Sequence, residues 1–280
     1  MKSITLCSDD FGMNTSVNEA ILKLVEQGRL NAVSCMTTMD MLAPDAERLK
    51  QAVANAPHKV DIGLHLTFTE YSALTDLSSL LKDGKLPQIS KLLIKTHLHQ
   101  VDKLEIKSEI IAQFEQFKSI FGHKPHFVDG HQHAHILPII RDAFLEVAPE
   151  YLETNGWIRS CHQPINSILK AHSNQMRSLL ISTLSRPLKT KLKALNIKTD
   201  DLFLGINNFD PKENYRIQMQ AWLNLAKNHQ DETLIMCHPG LDADDSNFVD
   251  DPIKARRPDE FAYLNSDDFI NDLAANNLTL

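Results

Sequence analysis

Ile4-Thr5-Leu6-Cys7-Ser8-Asp9-Asp10-Phe11-Gly12 is a short, mainly apolar run that stops at two adjacent carboxylates. A buried strand whose C-terminal end opens on a functional face has this form. A helix is predicted directly after it. Asn14 or Thr15 can cap that helix, Val17, Ile21, Leu24 and Val25 recur at helical spacing, and Gly28 stands where it should end. The unit then repeats: strands are predicted over 32–36 and 60–66, with a helix over 44–54 between them. A strongly amphipathic helix over 104–121 carries Ile106, Ile110, Phe114, Phe117 and Phe121, and Gly122 provides its stop. Phe127-Val128 leads, strand-like, into a histidine-rich stretch. A helix over 138–147, a strand over 157–161, a helix over 215–227 and a strand over 233–237 complete the series. Repeated strand-helix units imply an α/β fold with a parallel sheet, closed or nearly closed into a barrel.

With 280 residues, 42% of them hydrophobic and 23% charged, the chain can bury a large core, and one domain over 1–280 is the expectation. The net charge of −7 argues against a general nucleic-acid binder. Cys7, Cys35, Cys161 and Cys237 are widely spaced, form no C-x-x-C pair, and read as reduced packing residues. The first apolar run reaches Asp9 too soon for a signal-peptide core, and no run approaches the roughly 20 residues of a membrane span. A cytoplasmic protein without membrane contact is expected, with a homodimer allowed.

Two stretches interrupt the rhythm. Residues 71–100 hold Gly84, Pro87 and short apolar pieces, and read as an excursion over a barrel face. Residues 162–199 contain no acid but carry Lys170, Arg177, Arg186, Lys189, Lys191, Lys193 and Lys198. This second stretch reads as a helical insertion beside the active face, either a solvated surface or a phosphate or partner contact.

The chemistry lies at strand ends. Asp9-Asp10, His65, His131-x-His133-x-His135 and His238 each follow an apolar strand-like run, and in a parallel α/β fold those ends share one face. One Asp and two His residues make a suitable set for a divalent ion, leaving positions for water and substrate, and Asp10, His65 and His131 are the choice here. Asp9 points to the other side of a regular strand, and can instead serve as a base. Taken singly these signals are weak: an Asp-Asp pair also makes turns and helix caps, Asp-Phe-Gly occurs in kinases, and a lone strand histidine is commonly a core residue. Three alternating histidines in an apolar chain are different, because burying them without metal or catalytic partners is costly. His133 and His135 either orient other groups or touch substrate.

The ordered motifs Ser8-Asp9-Asp10-Phe11-Gly12, Gly63-Leu64-His65-Leu66, Phe127-Val128-Asp129-Gly130-His131-Gln132-His133-Ala134-His135-Ile136-Leu137-Pro138 and His238-Pro239-Gly240 resemble the YdjC-like carbohydrate deacetylase family, including its ChbG type, which acts on chitooligosaccharides. Asp201-x-Phe203-x-Gly205 and Arg256-Arg257 with Glu260 and Leu264 fit as well. The resemblance implies an irregular TIM-like (β/α) barrel with Asp10, His65 and His131 on the metal, Asp9 as base and His238 as general acid. It implies magnesium, whereas two imidazoles suit zinc by ligand type. Nothing in 71–100 or 162–199 matches it, and both are expected to border the substrate. Arg159, at another strand end, is read as holding Asp9 charged, as binding an acetyl or sugar oxygen, or equally as an ordinary surface arginine.

Together these readings give a hydrolase that removes an acetyl group from an N-acetylated amino sugar or oligosaccharide, with or without a phosphate. A metal-dependent phosphoesterase is the alternative enzyme, with Asp129 as the extra ligand candidate. A non-catalytic binding protein using 162–199 is the third reading.

Overall fold

The computed structural model describes residues 1–171, 174–242 and 251–280. Strands and helices alternate from the start: β1 (Lys2–Ser3), β2 (Thr5–Phe11), α1 (Thr15–Glu26), β3 (Ala32–Cys35), α2 (Leu42–Asn55) and β4 (Asp61–Leu66). After α3 (Ile89–His97) and α4 (Lys103–Phe121) come β5 (Phe127–Gly130), a 3-10 segment (His131–Ile136), α5 (Ile140–Tyr151) and β6 (Trp157–Ile158). The later part holds α6 (Ile165–Lys170), α7 (Gln175–Ala194), β7 (Lys198–Thr199), β8 (Leu202–Leu204), α8 (Tyr215–Lys227) and β9 (Thr233–Cys237). It ends with α9 (Arg257–Leu264), α10 (Asp267–Ala275) and β10 (Leu278–Thr279), which pairs with β1.

Local signals place the early elements. Asn14 caps α1 by accepting the Val17 N–H at 2.9 Å, and Gly28 follows the helix at φ +66°, in the left-handed region that favours glycine. α1 buries Val17, Ile21, Leu24 and Val25, and α4 buries Ile106, Ile110, Phe114, Phe117 and Phe121, so each helix turns its apolar face to the sheet.

Eight strands form a wholly parallel sheet in the order β7-β6-β5-β4-β3-β2-β9-β8. Its edge strands, β7 and β8, are separated in sequence only by Asp200 and Asp201. That link reaches at most about 11 Å, whereas the edges of a flat eight-stranded sheet stand about 33 Å apart. The sheet must therefore curl until its edges meet. β7 and β8 act as one interrupted strand, with Lys198 opposite Trp157 on one side and Leu202 opposite Thr233 on the other. Across the seam, Phe203 N–H donates to the His162 carbonyl at 3.0 Å. This is the irregular TIM-like barrel that the sequence predicts.

Some boundaries differ from expectation. The strand predicted over 157–161 stops at Ile158, and Cys161 at φ +61° takes the chain out of the ladder. α5 starts two residues later than predicted and continues past Pro149 to Tyr151. β7 lies inside the basic 162–199 stretch, the rest of which is largely α6 and α7; residues 172 and 173 of that stretch lie outside the described residues. Several of its lysines meet acids from neighbouring elements: Lys191 lies 2.7 Å from Asp142 and Lys189 lies 3.3 Å from Asp201. The four cysteines are free and buried. Among the described residues no helix is long and apolar enough to cross a membrane.

Candidate metal and catalytic site

Consecutive residues on a regular strand face opposite sides, so Asp9 and Asp10 need a break in β2 to share a cavity. The break exists. Pairing with β3 shifts register between Ser8 and Phe11, and Asp10 sits at φ +70°, a conformation that costs a non-glycine residue about 1–3 kcal/mol. Gly12 follows at φ +101°, where an added Cβ would lie 2.9 Å from Leu42 Cβ. Its N–H donates to Asn18 Oδ1 at 2.7 Å. The Ser-Asp-Asp-Phe-Gly sequence is thus a bulged strand end that turns both carboxylates into one cleft.

Asp10 Oδ1 lies 3.5 Å from His65 Nε2 and 3.1 Å from His131 Nδ1, and the three residues can present ligand atoms within 4.8 Å of one another. The second Asp10 oxygen accepts from Arg257 Nη2 at 2.7 Å. His65 Nδ1–H donates to Asp129 Oδ1 at 2.6 Å, and the Ser34 hydroxyl donates to the same oxygen. Asp129 therefore fixes the His65 ring with Nε2 toward Asp10, an arrangement common behind metal-binding histidines.

The charge around this cluster suits a cation. Burial by itself lowers the His65 pKa, yet Asp129, Asp10 and Asp9 together push it up to about 10. His131 is likewise raised, against burial, by Asp10 and Glu70. Imidazoles that hold protons so firmly beside carboxylates mark a place short of positive charge, and a divalent ion binds at the same lone pairs. Two imidazoles and one carboxylate fit such an ion. Binding a divalent ion is therefore expected to release protons at neutral pH, and affinity is expected to fall as pH drops. Calorimetry in buffers of different ionisation enthalpy reads this directly; heats independent of the buffer would contradict it.

Arg159 grips Asp9 with two hydrogen bonds, Nη1 to Oδ2 at 2.7 Å and Nη2 to Oδ1 at 2.6 Å, and Nη2 also lies 2.6 Å from Asp129 Oδ2. Burial raises the Asp9 pKa, but the guanidinium overrides it and holds the carboxyl well below the usual range. Of the readings the sequence offered for Arg159, the surface arginine is overturned by its full burial, and its contacts are those of the hold on Asp9. The side chain is fully buried behind that residue and does not line the cleft.

The histidines divide in the same way. His133 lines the cleft, with Nδ1 3.6 Å from Cys161 Sγ and its ring edge-on to Phe203. His135 lies behind it and donates Nε2–H to the Arg159 carbonyl at 2.9 Å. Burial pushes the His135 pKa down to about 4, below the ordinary 6.5. The stability of the neutral ring is thus fully present above pH 6.5 and is lost as pH falls through 4, to a limit of about 3 kcal/mol. Urea unfolding of wild type and His135→Gln at pH 7 and pH 4 should show the smaller acid loss in the variant; parallel losses would contradict it.

His238, at the end of β9, places Nε2 3.8 Å from Asp9 Oδ2, and the Phe209 ring meets it edge-on. Asp9, Asp10, His65, His131, His133 and His238 thus converge on one cleft of about 330 Å³. Tyr71, Gln132, Arg177, Asn207 and Phe209 add to its wall. Asp129, Arg159 and His135 stand behind it. Sequence reasoning gave no role to Arg257, Glu70, Tyr71 or Ser34. The expectation that 71–100 borders the substrate covered Tyr71 as part of a segment, and the Arg256-Arg257 pair was visible, though only its second member reaches the site: Arg256 turns away to Gln218 Oε1 at 2.9 Å. Glu70 and Tyr71 are held there indirectly, since buried Glu109 of α4 accepts the Leu74 and Thr75 N–H groups at 3.1 and 2.8 Å.

Fold and site together define a parallel α/β barrel with an Asp-His-His centre and an adjoining Asp-His pair at the C-terminal mouth of its strands. The chain belongs to the YdjC-like protein family, whose model matches residues 3–275. It is 33% identical over 144 residues to a Vibrio campbellii carbohydrate deacetylase, covering 51% of this chain and 54% of the relative. It is 30% identical over 139 residues to a Yersinia enterocolitica chitooligosaccharide deacetylase, covering 50% and 53%. A Danio rerio carbohydrate deacetylase is 28% identical over 152 residues, covering 53% and 47%. The chain spans about half the length of the curated relatives it matches. Among solved structures, an Enterococcus faecalis V583 protein provisionally named for cellobiose-phosphate cleavage superposes with a TM-score of 0.74 at 18% identity, over 100% of this chain and 96% of that one, a likeness of fold.

Proposed function

We propose that this chain is a metal-dependent N-deacetylase that hydrolyses the acetamide of an N-acetylated amino sugar or chitooligosaccharide-like saccharide. The observation that carries this reading is the placement of Asp9 and His238, 3.8 Å apart, beside the Asp10, His65 and His131 cluster in one cleft. Amide hydrolysis needs an activated water, a stabilised oxyanion and a proton for the departing nitrogen. One divalent ion held by Asp10, His65 and His131 would supply Lewis acidity toward the acetyl carbonyl and a lowered water pKa.

The chain's own residues do the rest. Asp9, kept ionised by Arg159, accepts a proton from the water as its oxygen attacks the carbonyl carbon. His238 donates a proton to the nitrogen as the C–N bond breaks, yielding acetate and a free amine. Tyr71 and Phe209 offer aromatic faces to a sugar ring. Arg177, on the same wall, rests over Phe209 with 5.4 Å from Cζ to the ring centroid and is the group for a sugar phosphate.

Magnesium is the proposed ion, with zinc as the alternative that suits the imidazoles. The chain is read as one domain over 1–280 with insertions at 71–100 and 162–199, and the buried free cysteines accord with a cytoplasmic protein. The phosphoesterase reading is weaker, because in the other group of candidate ligands among the described residues, Cys7, Asp9 and Asp129, both carboxylates already contact the Arg159 guanidinium. Mass spectrometry of a chitooligosaccharide panel, with and without a 6-phosphate, tests the proposal. Loss of an acetyl group from at least one member is expected, and none from any member would overturn it.

A further inference from the structure

Glu260 of α9 is fully buried, an expensive place for a carboxyl group unless its oxygens are engaged. One of them is: Oε2 accepts the backbone N–H of His238 at 2.6 Å. The other, Oε1, is buried and has no hydrogen-bond partner among the described residues. His238 Nδ1 is in the same condition. An unsatisfied acceptor and an unsatisfied ring nitrogen therefore belong to two residues already joined by one short hydrogen bond.

The chemistry of a general acid gives that pairing a purpose. An imidazole that delivers a proton from Nε2 must carry a second one on Nδ1, and a buried Nδ1–H without an acceptor costs about 1–3 kcal/mol. Nε2 of His238 faces Asp9 and the cleft, which leaves Nδ1 toward the interior. We propose that Glu260 is a positioning residue whose Oε1 receives the Nδ1–H of protonated His238, holding Nε2–H on the departing nitrogen. The inference rests on the deacetylase reading above. Burial, the largest influence, and Arg257 oppose the proton on the His238 ring and set its pKa below the ordinary value, against Asp10, Asp9 and Glu260, which favour it.

Glu260→Gln keeps an oxygen for the His238 N–H and removes the anionic acceptor. Its kcat on an N-acetylated chitooligosaccharide is expected to fall about 10- to 100-fold at nearly unchanged KM. Hydrolysis of 4-nitrophenyl acetate, whose leaving group needs no proton, should fall less than about 3-fold. Glu260→Asp should recover part of the amide activity and serves as the second variant if Glu260→Gln folds poorly. Tyr215, whose hydroxyl is also buried without a partner and which feels the Glu260 charge, is the control: Tyr215→Phe should leave the ratio of the two activities unchanged. Equal loss on amide and ester, or loss on neither, overturns the positioning role. A wild-type protein inactive on every N-acetylated saccharide instead overturns the deacetylase reading and removes this inference with it.

Discussion

Asp10→Ala is expected to lose the divalent ion and to lower turnover by about 10³-fold or more, the largest effect of any single substitution in the site. Asp10 is the one carboxylate in the Asp10, His65 and His131 cluster, so its removal leaves two neutral donors and no anionic ligand. The fold should survive. Arg257, which donates to Asp10, also contacts Asp251 at 2.6 Å and keeps a buried partner. Metal content after dialysis, measured beside kcat, checks the expectation; retained stoichiometric metal would remove Asp10 from the donor set.

Asp9→Asn should separate base from ligand. It is expected to keep the ion and lose roughly 100-fold or more in kcat, the range for removal of a general base. Asn preserves one acceptor for Arg159, and Asp129 continues to neutralise the guanidinium from its other side at 2.6 Å. The folding cost is therefore expected at about 1–3 kcal/mol, too little to unfold a typical domain. Metal content, unfolding and kcat on one preparation distinguish the cases, and full turnover with metal bound would exclude Asp9 from proton transfer.

These two residues also show what the sequence could and could not reveal. That Asp9, Asp10, His65, His131 and His238 would meet was legible, because each follows an apolar run and parallel strands deliver their ends to one face. How adjacent Asp9 and Asp10 both enter the cleft was not, since it depends on a register shift and on the positive φ of Asp10. Depth was equally hidden. His133 and His135 differ by one strand-like repeat in sequence, yet one lines the cleft and the other backs Arg159, because the 3-10 segment abandons period two. Barrel closure was legible in the repeated units, but the strands that close it were not, because β7 and β8 are two and three residues long, with Asp200 and Asp201 between them. Arg257 and Glu260 reach the site from α9, and no local pattern ties a helix residue to a distant strand end.

Titration of metal into chelator-treated protein, with release of acetate from an N-acetylated chitooligosaccharide followed at each addition, tests the central claim most directly. The account predicts activity that is absent without metal, rises with the first equivalent and saturates at one ion per chain. Activity that survives full chelation, or that saturates only at two ions, would contradict it.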